Sequence, residues 1–521
     1  MTDDVVDVAV VGAGPVGLTL AALLGQAGRS VVVLERHPAL YGLPRAASFD
    51  GEVLRLLAGL GLAEELLPTL HVQEAYQWSD AAGEVLLSLE SRLVGDSGWP
   101  DLLMFHQPVL ERALHARCGS LPSVEVRLGA AVTGLDRAED EVRLVTAEGG
   151  TVRARYVVGC DGGNSFVRTA LGIDEDDLGF AEPWLVCDFV LRRPAAELGL
   201  PSALQVGDPD GPTTIFTTGA GRQRFCFMLD DADVGREIAD AEVWRRVERH
   251  LTPADADVER VATYTFRSLV ARRWRDGRVL LAGDAAHRMP PFLGQGMCSG
   301  MRDAANLAFK LDLVSTGAQD PGVLDTYQSE REPHVRALTA TSIALGRRHT
   351  LTDHALARER DDAMRATRDS LREPERIRLP DLGPGLHGPG GGALSVQGRV
   401  DDGRRAGLLD QVVGGGFRLL LLGDDFPDVD VTALRAAGVT TTGIGKSAGD
   451  GVVADLDGTL HRWFDRLGAT AVAVRPDHYV LAAGPDAGEV ARALLRVVAP
   501  PVAGSVSRAR RSSTGRAAGT R

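Results

Sequence analysis

The sequence is poor in several features that define common classes of protein. Among its 521 residues, lysine occurs only at Lys310 and Lys446, and the formal net charge is −14. An acidic chain of this kind is unsuited to general nucleic-acid binding, so no nucleic-acid partner is predicted. The five cysteines are odd in number and form no CxxC pair. That pattern argues against a disulfide or zinc framework and favours a reducing, cytoplasmic environment.

Long apolar runs are also missing. The most apolar stretch, Val8–Leu24, follows three aspartates and is interrupted by three glycines and a proline. A signal peptide needs a basic start, and a spanning helix needs about 20 apolar residues in succession. The sequence therefore predicts neither a signal peptide nor a membrane span.

Metal-binding spacings are scarce as well. Asp455 and Asp457 lie in one predicted turn, where two acidic residues are more often structural than metal ligands. Gly445-Lys446-Ser447 resembles the end of a phosphate-binding loop, but Thr440 stands where that motif requires glycine. No metal site is predicted.

What the sequence does contain is a complete dinucleotide-binding pattern near its start. A β-branched run, Val5–Val11, leads into a glycine-rich turn, a helix-like segment and a second strand that ends at Glu35-Arg36. Glycines permit a tight turn against a pyrophosphate, and the helix N-terminus favours negative charge. An acid at Glu35 suits a ribose 2′-hydroxyl, which favours FAD or NAD over NADP. The predicted cofactor contacts here are Gly12, Ala13, Gly14, Pro15, Gly17, Glu35 and Arg36.

A second stretch, Val279–Asn306, combines the same kinds of element. An apolar strand ends at Gly283-Asp284, and Pro290-Pro291 and Gly294-Gln295-Gly296 precede a helix-like segment. This order predicts a buried strand, an acidic turn, a rigid loop and a helix N-terminus with free backbone N–H groups. It is typical of a site where a large polar cofactor lies against backbone.

The remaining segments predict the layout of the chain. Glu74–Glu90 is typical of a hairpin, and Pro183–Arg267 predicts a mostly antiparallel sheet that could carry a ligand pocket. Four strands between Val124 and Val158 suggest a β-meander with a return strand, and Leu311–Thr367 suggests exposed, ion-paired helices. Aromatic residues of the hairpin and sheet are substrate candidates, although each is more often structural: Tyr76, Trp78, Phe216 and Phe227, with Asp188 as a polar candidate.

Taken together, these motifs resemble the FAD-dependent aromatic hydroxylases (class A flavoprotein monooxygenases). Within them the chain is most similar to the branch of 3-(3-hydroxyphenyl)propionate, resorcinol and polyketide hydroxylases. The resemblance spans roughly Val5 to Leu345 and includes QSEREP at 328–333. Its main motifs are VVGAGPVGL at Val10–Leu18, CDGGNSFVR at Cys160–Arg168 and GDAAHRMPPFLGQGMCSGMRDAANLAFKL at Gly283–Leu311.

The resemblance implies an α/β fold with three domains. An FAD-binding Rossmann-like domain of the glutathione-reductase type would comprise residues 1–73, 100–180 and 268–378. A substrate domain with an antiparallel sheet would comprise 74–99 and 181–267, and a linker would span 379–392. A thioredoxin-like domain would follow at 393–504, with a disordered basic tail at 505–521. Because CxxC is missing, that domain is expected to serve packing or a homodimer contact rather than redox chemistry.

The implied activity is a monooxygenase reaction. NADH or NADPH, left undecided by the sequence, would reduce FAD transiently, and O2 would hydroxylate a small phenolic or polyketide aromatic substrate through a flavin hydroperoxide. Two alternatives stay open. One is a monooxygenase that tailors or inactivates a natural product, including Baeyer–Villiger oxidation. The other is a non-catalytic FAD-binding interaction protein.

The resemblance also assigns roles to single residues. Arg45 and Gln107 would contact the FAD phosphate or ribityl region, Asp161 and Arg168 would handle FAD and NAD(P)H, and Asp284 would bind a ribityl hydroxyl. Backbone near the flavin ring would come from Gly294, Gln295, Gly296 and Met297. Pro290 and Pro291 would form the wall between flavin and substrate, with Phe292 beside them. His287 is a candidate proton relay, and a structural hydrogen bond is an equal alternative.

Overall fold

The computed structural model describes residues 5–230, 233–370, 378–424 and 426–499. The strands in chain order are β1 (Val6–Val11), β2 (Val31–Glu35), β3 (Ser48–Phe49), β4 (His71–Val72), β5 (Ala75–Ser79), β6 (Val85–Glu90), β7 (Leu103–Met104), β8 (Val124–Leu128), β9 (Val132–Arg137), β10 (Val142–Thr146), β11 (Thr151–Gly159), β12 (Glu175–Leu191), β13 (Ala203–Val206), β14 (Thr213–Thr217), β15 (Arg222–Met228), β16 (Ala256–Ala271), β17 (Arg275–Asp276), β18 (Val279–Leu281), β19 (His287–Arg288), β20 (Arg399–Asp401), β21 (Ala406–Leu408), β22 (Arg418–Leu422), β23 (Thr440–Gly445), β24 (Val452–Asp455), β25 (Ala471–Val474) and β26 (Val480–Gly484). The α-helices are α1 (Pro15–Gln26), α2 (Gly51–Gly59), α3 (Ala63–Leu66), α4 (Gln107–Gly119), α5 (Phe166–Ala170), α6 (Asp240–Val247), α7 (Gly296–Ser315), α8 (Asp325–His349), α9 (His354–Asp369), α10 (Leu409–Val413), α11 (Val431–Ala436), α12 (Thr459–Leu467) and α13 (Ala487–Val498).

The first sheet contains the predicted dinucleotide-binding strands. Its strands β18, β11, β1, β2 and β8 are parallel neighbours in that order. Helices α1 and α7 pack together in the same hydrophobic core, which covers the continuous apolar runs of β1 and β2. The carboxyl ends of β1, β2, β11 and β18 therefore open towards one edge, where ligands bind in folds of this kind.

The predicted meander is only partly correct. Strand β8 pairs with β2 in parallel, whereas β9, β10 and β11 form the antiparallel run. The sequence pattern identified all four strands but could not identify the partner of β8. The pairing of β8 with β2 depends on the crossover through α4, which returns the chain to the edge of the parallel sheet.

The second sheet is antiparallel except for the parallel pair β13 and β5. Its order is β19-β16-β12-β15-β14-β13-β5-β6, so the predicted hairpin joins the sheet at one end. Strands β12 and β16 are 17 and 16 residues long, and they pair with each other along most of their length in the second sheet. One face of this sheet packs on α6, and the other faces the cavity described below.

The C-terminal sheet has seven strands in the order β21-β20-β24-β23-β22-β25-β26. For brevity, the name C-terminal sheet is used below for the whole region of residues 393–499, which includes these strands and the helices between them. The predicted linker is not an isolated tether, because Gly383 N donates to the Glu330 carbonyl at 2.9 Å and Gly388 N donates to the Leu481 carbonyl at 2.7 Å. The predicted basic tail lies outside the described residues.

The prediction of exposed helices after Leu311 is wrong for α8. Glu330, Arg331 and His334 of this helix are buried, and Tyr327 donates to the Leu281 carbonyl at 2.9 Å. Charge density alone suggests a solvated surface, but here the charged groups pair with one another across helices. None of the described helices is both long and apolar enough to cross a bilayer.

Candidate active site

A cavity of about 2130 Å³ lies between the carboxyl ends of the parallel strands and one face of the second sheet. Both predicted cofactor stretches contribute to its wall, as does the predicted substrate sheet. The structure thus brings the two predicted cofactor stretches together, from Gly12 in the first to Pro291 and Phe292 in the second.

The glycine-rich turn fits a cofactor that approaches backbone closely. Gly12 has φ +106°, and a Cβ at this position would overlap the Cys160 carbonyl oxygen. Gly17 is equally confined, because its Cβ would overlap the Gly12 carbonyl oxygen. Gly14 differs: no protein atom lies within 4 Å of its Cβ position, and it lines the cavity with Ala13 and Pro15. Space for a pyrophosphate therefore opens at Gly14, where α1 begins.

Glu35 holds this turn from the end of β2. Its carboxylate accepts hydrogen bonds from Ala13 N and His37 N, both at 2.9 Å. The side chain is half-buried and lines the cavity, and the adjacent Arg36 is exposed there. This arrangement leaves carboxylate lone pairs available for a ribose hydroxyl.

Gln107 fixes the loop that carries Arg45. Its Oε1 accepts from Arg45 N at 3.1 Å and Ala46 N at 2.7 Å, and its Nε2 donates to Glu111 at 2.7 Å. The Arg45 guanidinium lies 4.1 Å from the centre of the exposed Tyr41 ring. Gln107 therefore acts on the backbone of the loop, which leaves the Arg45 side chain at the cavity.

Asp161 and Arg168 are separated by the structure. Asp161 lines the cavity and accepts from Ser165 Oγ at 2.5 Å and Val167 N at 3.1 Å. Arg168 is buried beneath it, where it donates to the Gly163 carbonyl at 2.9 Å and the Ala285 carbonyl at 3.1 Å. Arg168 therefore braces two turns of the cavity wall from behind.

The Asp284 turn opens into the cavity from β18. Asp284 is exposed to this space but is far inside the molecule, and this enclosure raises the pKa of its carboxyl group. His287, Arg45 and Arg288 oppose that shift. His287 itself lies below the turn: its Nε2 is 2.6 Å from Asp303, and its ring is 5.2 Å from that of Trp274. The position of His287 thus favours the structural alternative over the proton relay.

The proline pair leads into a short 3-10 helix, Pro291–Leu293, that ends at Gly294. Pro291 lines the cavity, while the carbonyl of buried Pro290 accepts from Ser342 Oγ at 2.7 Å. Gly294 has φ +66°, and a Cβ there would lie 2.6 Å from Ser48 Oγ. This residue therefore needs to be glycine for both conformation and space.

Helix α7 begins at Gly296 with its N-terminus at the cavity. Gly296 and Met297 line the cavity, and the first intrahelical donor after them is Ser299 N, which bonds to the Gln295 carbonyl at 2.9 Å. Gln295 is buried, donates to Asp50 at 3.0 Å and accepts from Arg302 at 2.8 Å. The backbone N–H groups of the first turn can therefore face a ligand, while side chains behind them hold the turn.

Strand register shows which residues of the second sheet face the cavity. Arg260, Asp188, Arg224 and Phe216 are successive partners across β16, β12, β15 and β14. The next row towards the aromatic end is Val186, Cys226, Thr214, Gln205 and Trp78. Phe227 follows Cys226 and therefore points to the opposite face, where it packs in the core under α6. The prediction of Phe227 as a substrate contact is thus wrong, because its ring lies on the face of the sheet away from the cavity.

A buried ion cluster lies at one end of this cavity face. Asp188 accepts from Arg224 at 2.6 and 3.1 Å and lies 3.6 Å from Arg260. Arg224 also donates to the carbonyls of Arg45, at 2.7 Å, and Pro44, at 3.2 Å. The cluster joins the second sheet to the Arg45 loop. Sequence analysis missed both arginines, although an aspartate inside the apolar run of β12 is a signal for a buried cation.

Aromatic rings form the other end of the face. Phe292 lies 5.7 Å from both Phe180 and Trp184. Tyr76 lines the cavity, and burial raises the pKa of its phenol, although a hydrogen bond with Gln205 opposes the shift. Rings and a few polar groups at this end suit an aromatic ligand with hydroxyl groups.

His349, at the end of α8, lies behind these rings. It stacks on Trp184 at 5.8 Å, and its Nε2 is 3.3 Å from Thr214 Oγ1. Burial, and then the charge of Arg360, lowers the pKa of His349 to about 3, so the imidazole is neutral near pH 7. Within the described residues, no cluster of three or more histidine, cysteine or acidic side chains is placed to hold a metal ion.

Comparison with known families gives two matches. A model described as FAD binding domain matches residues 5–342, and one described as HcaD C-terminal domain matches residues 392–497. The chain is 47% identical over 513 residues to a probable NADH-specific resorcinol 4-hydroxylase of Rhodococcus jostii, covering 95% of this chain and 96% of that protein. It is 34% identical over 538 residues to a 3-(3-hydroxy-phenyl)propionate/3-hydroxycinnamic acid hydroxylase of Mycobacterium avium, covering 92% and 90%.

Solved structures resemble the whole chain. The ternary complex of aklavinone-11 hydroxylase with FAD and aklavinone superposes with a TM-score of 0.75 at 26% identity, covering 96% of this chain and all of that one. OxyS anhydrotetracycline hydroxylase from Streptomyces rimosus gives a TM-score of 0.73 at 28% identity, with the same coverage. These neighbours share the mixed α/β architecture described above.

Proposed function

The chain belongs to the FAD-dependent aromatic hydroxylases, as its match to the FAD binding domain and its similarity to two named hydroxylases show, and from this premise we propose that it hydroxylates a small phenol with NADH and O2. The choice of NADH follows the similarity to the resorcinol hydroxylase, which is named as NADH-specific. One observation carries the proposal: the glycine turn, Asp284 and the α7 N-terminus share one cavity with an aromatic sheet face.

Residues of the first sheet would hold FAD. The turn Gly12–Gly14 would accept the pyrophosphate, Glu35 a ribose hydroxyl and Asp284 a ribityl hydroxyl. Arg45 and Asp161 line the same cavity and would bind the remaining polar groups. When bound, FAD supplies the redox and oxygen-activating chemistry.

The proposed role of the protein's own residues is to orient the flavin and the substrate and to keep water out of the site. The backbone N–H groups of Gly296 and Met297 would face the flavin ring and stabilise negative charge on it. Pro291 and Phe292 would keep the substrate ring against the flavin and keep water away. Thr214, backed by neutral His349, and Tyr76, paired with Gln205, are the proposed partners of the substrate's hydroxyl groups.

We also infer a domain organisation in which each part of the chain has a separate role. The FAD-binding part would be of the glutathione-reductase type and comprise 1–73, 100–180 and 268–378, with the substrate domain at 74–99 and 181–267. Residues 393–504 would be a thioredoxin-like domain without CxxC. Its seven-stranded sheet supports this assignment, and the missing thiol pair supports a structural role. A homodimer contact through this domain is part of the same proposal.

The test is oxidation of NADH by the flavin-loaded protein with three kinds of compound: resorcinol, 3-(3-hydroxyphenyl)propionate and a polyketide anthraquinone. We expect a small phenol to stimulate NADH oxidation strongly and to gain one hydroxyl group. A product with oxygen inserted into a ring carbon–carbon bond would instead favour the Baeyer–Villiger alternative. Protein that takes up FAD but is stimulated by no aromatic compound would favour the binding-protein alternative.

The cofactor itself provides the second check. Wild-type protein should purify yellow or become yellow with added FAD. Colourless protein that binds no FAD would overturn the whole proposal, whatever its substrate.

A further inference from the structure

A buried ion network joins the C-terminal sheet to α8. Arg475, at the end of β25, donates to Glu330 of α8 at 3.0 Å from each of two nitrogens, and to Asp477 at 2.9 and 2.5 Å. Arg475 and Glu330 are both fully buried. Burial raises the pKa of Glu330, but the charges of Arg475 and Lys310 outweigh it and bring the pKa to about 2. The pair is therefore ionised at all ordinary pH values.

The same network reaches α7. Asn306 donates to Glu330 at 2.7 Å and to Asp477 at 3.2 Å, and Lys310 Nζ is 2.9 Å from Glu330. Asn306 is ten residues from Gly296, which corresponds to roughly 15 Å along a rigid helix. Arg475 is therefore connected through α7 to the turn Gly294–Met297.

A second connection reaches the same turn through α2. Arg55 of α2 donates to Asp410 of α10 at 2.5 and 2.9 Å and to the Ser395 carbonyl at 2.6 Å. At the start of α2, Glu52 accepts from Arg302 of α7 at 2.7 Å. Asp50, the N-cap of α2, also pairs with Arg302 and accepts from Gln295. The C-terminal sheet therefore contacts both helices that hold the turn.

The C-terminal sheet also supplies wall to the cavity. Tyr479, next to the network, is 4% exposed yet lines the cavity. Burial and the nearby Glu52 raise the pKa of its phenol, against the effect of Arg302. His478, just before it, is the one non-glycine residue with positive φ, 68°, among those the structure describes. Strained backbone of this kind persists where surrounding contacts enforce a particular geometry.

Stability alone is a poor reason for these contacts. Buried ion pairs often add little net stability compared with apolar packing of the same volume, whereas in some proteins they fix a particular geometry. We propose that the C-terminal sheet is a positioning element for the turn Gly294–Met297, acting through Arg475 and Asp410. The inference rests on the proposed function, because that function makes this turn the flavin-ring site.

The consequence concerns coupling, the fraction of oxidised NADH that yields hydroxylated product. Coupling requires the ring of the substrate to sit correctly against the flavin. A misplacement of about 1 Å can cost about 10²-fold in rate. Loss of either connection should therefore waste NADH while FAD stays bound, since Gly12, Glu35 and Asp284 are untouched.

The test compares Arg475→Gln with the conservative Arg475→Lys and with Asp455→Asn as a matched control. Asp455 is a buried carboxylate of the same sheet, whose bonds to His461 N at 2.9 Å and Nδ1 at 2.7 Å stay inside that sheet. We expect Arg475→Gln to keep its FAD, to lower coupling by at least about fivefold, and to shift the absorption and reduction potential of the bound flavin. Arg475→Lys should restore part of the coupling and bring the flavin absorption and reduction potential closer to wild type. Asp455→Asn should lower Tm but leave coupling, absorption and potential unchanged.

The outcomes separate the two proposals. Spectrum and potential need no substrate, so they report on positioning even if the wild-type protein hydroxylates no phenol and the proposed function fails. If Arg475→Gln does not fold, Asp410→Asn at the second connection takes its place with the same measurements. The contrary outcome is an Arg475→Gln protein whose coupling, flavin spectrum and reduction potential match wild type and whose Tm falls only as much as that of Asp455→Asn. This result would show that the C-terminal sheet only stabilises the fold, and it would overturn the inference.

Discussion

The two halves of the cavity are built in different ways. The cofactor half comes from a few short turns at the ends of parallel strands, which together supply the glycines Gly12 and Gly14 and the acids Glu35, Asp161 and Asp284. The substrate half comes from seven strands of one sheet, β5, β6 and β12 to β16, and each strand contributes at least two residues to the cavity wall. The first half depends on local backbone geometry, whereas the second depends on register and on the choice of face.

The difference explains how each half tolerates change. A turn that needs positive φ or a missing Cβ permits almost no substitution. A sheet face accepts many side chains as long as the alternation is kept, and this is how one fold can serve several aromatic substrates. Substitutions in the cofactor half should thus weaken or abolish FAD binding, and those in the substrate half should alter selectivity.

The largest effect is expected at the glycine turn. Gly12→Ala adds a Cβ that overlaps the Cys160 carbonyl at a φ of +106°, so it should destabilise the protein by about 3 kcal/mol or more and abolish FAD uptake. Gly14→Ala meets no protein atom and should leave the Tm of the FAD-free protein unchanged while it weakens FAD binding. Thermal unfolding and flavin titration separate the two. An FAD affinity of Gly14→Ala equal to that of wild type would show that Gly14 does not face the cofactor.

A smaller effect is expected at Asp284. Asp284→Asn removes a charged acceptor proposed to bind a ribityl hydroxyl, so FAD affinity should fall roughly 10- to 100-fold, the usual value of such a bond. Asp325→Asn is the control, because that carboxylate is 76% exposed and pairs with Arg275 on the surface. Flavin titration measures both variants. An unchanged affinity for Asp284→Asn would exclude this contact.

In the substrate half, buried His349 makes stability depend on pH. Its pKa is near 3 in the folded protein and 6.5 when exposed, so the unfolded chain binds the proton more readily. The free energy of unfolding is therefore not reduced by His349 above pH 6.5. Below that value His349 lowers it by about 1.4 kcal/mol per pH unit as the pH drops from 6.5 towards 3. His349→Gln should flatten this part of the curve, measured by denaturant unfolding. The exposed His354→Gln should behave like wild type, and a His349→Gln curve identical to wild type would refute the buried neutral state.

The smallest effect separates the two faces of the second sheet. Phe216→Leu should raise KM for the aromatic substrate several-fold with little change in Tm, because the ring faces the cavity. Phe227→Leu should cost about 1 kcal/mol of stability and leave KM unchanged, because its ring packs under α6. Steady-state kinetics and thermal unfolding give both values. The opposite pattern would mean that the assignment of faces is reversed.

Most of the cofactor half was predictable from the sequence. The strands around Gly12 and Asp284 appear within a few residues of their predicted bounds, because apolar runs next to glycine turns depend on local sequence. The errors occur where contacts are distant in sequence. His287 lies beneath its turn, bonded to Asp303 sixteen residues away, and Arg168 lies behind the cavity wall. No local pattern gives the direction of such a side chain.

The second sheet shows the same limit. Its strands were predicted, but the long β12 and β16 and the parallel pairing of β5 with β13 were not. Alternation shows that Phe225 and Phe227 share a face, yet it cannot say whether that face meets a cavity or a helix. The helix α8 was predicted as exposed for a related reason: its charges have partners more than a hundred residues away, such as Arg475 for Glu330.

By itself the sequence determined the family and the cofactor, and it predicted the turns proposed to meet that cofactor, because these depend on backbone geometry written into consecutive residues. Only the tertiary structure decided which sheet face lines the cavity and which charges pair across it. It also showed that the C-terminal sheet contacts the two helices behind the turn proposed to meet the flavin ring. Side-chain direction and ionic partnership depend on packing between distant elements, and that information lies in the fold as a whole.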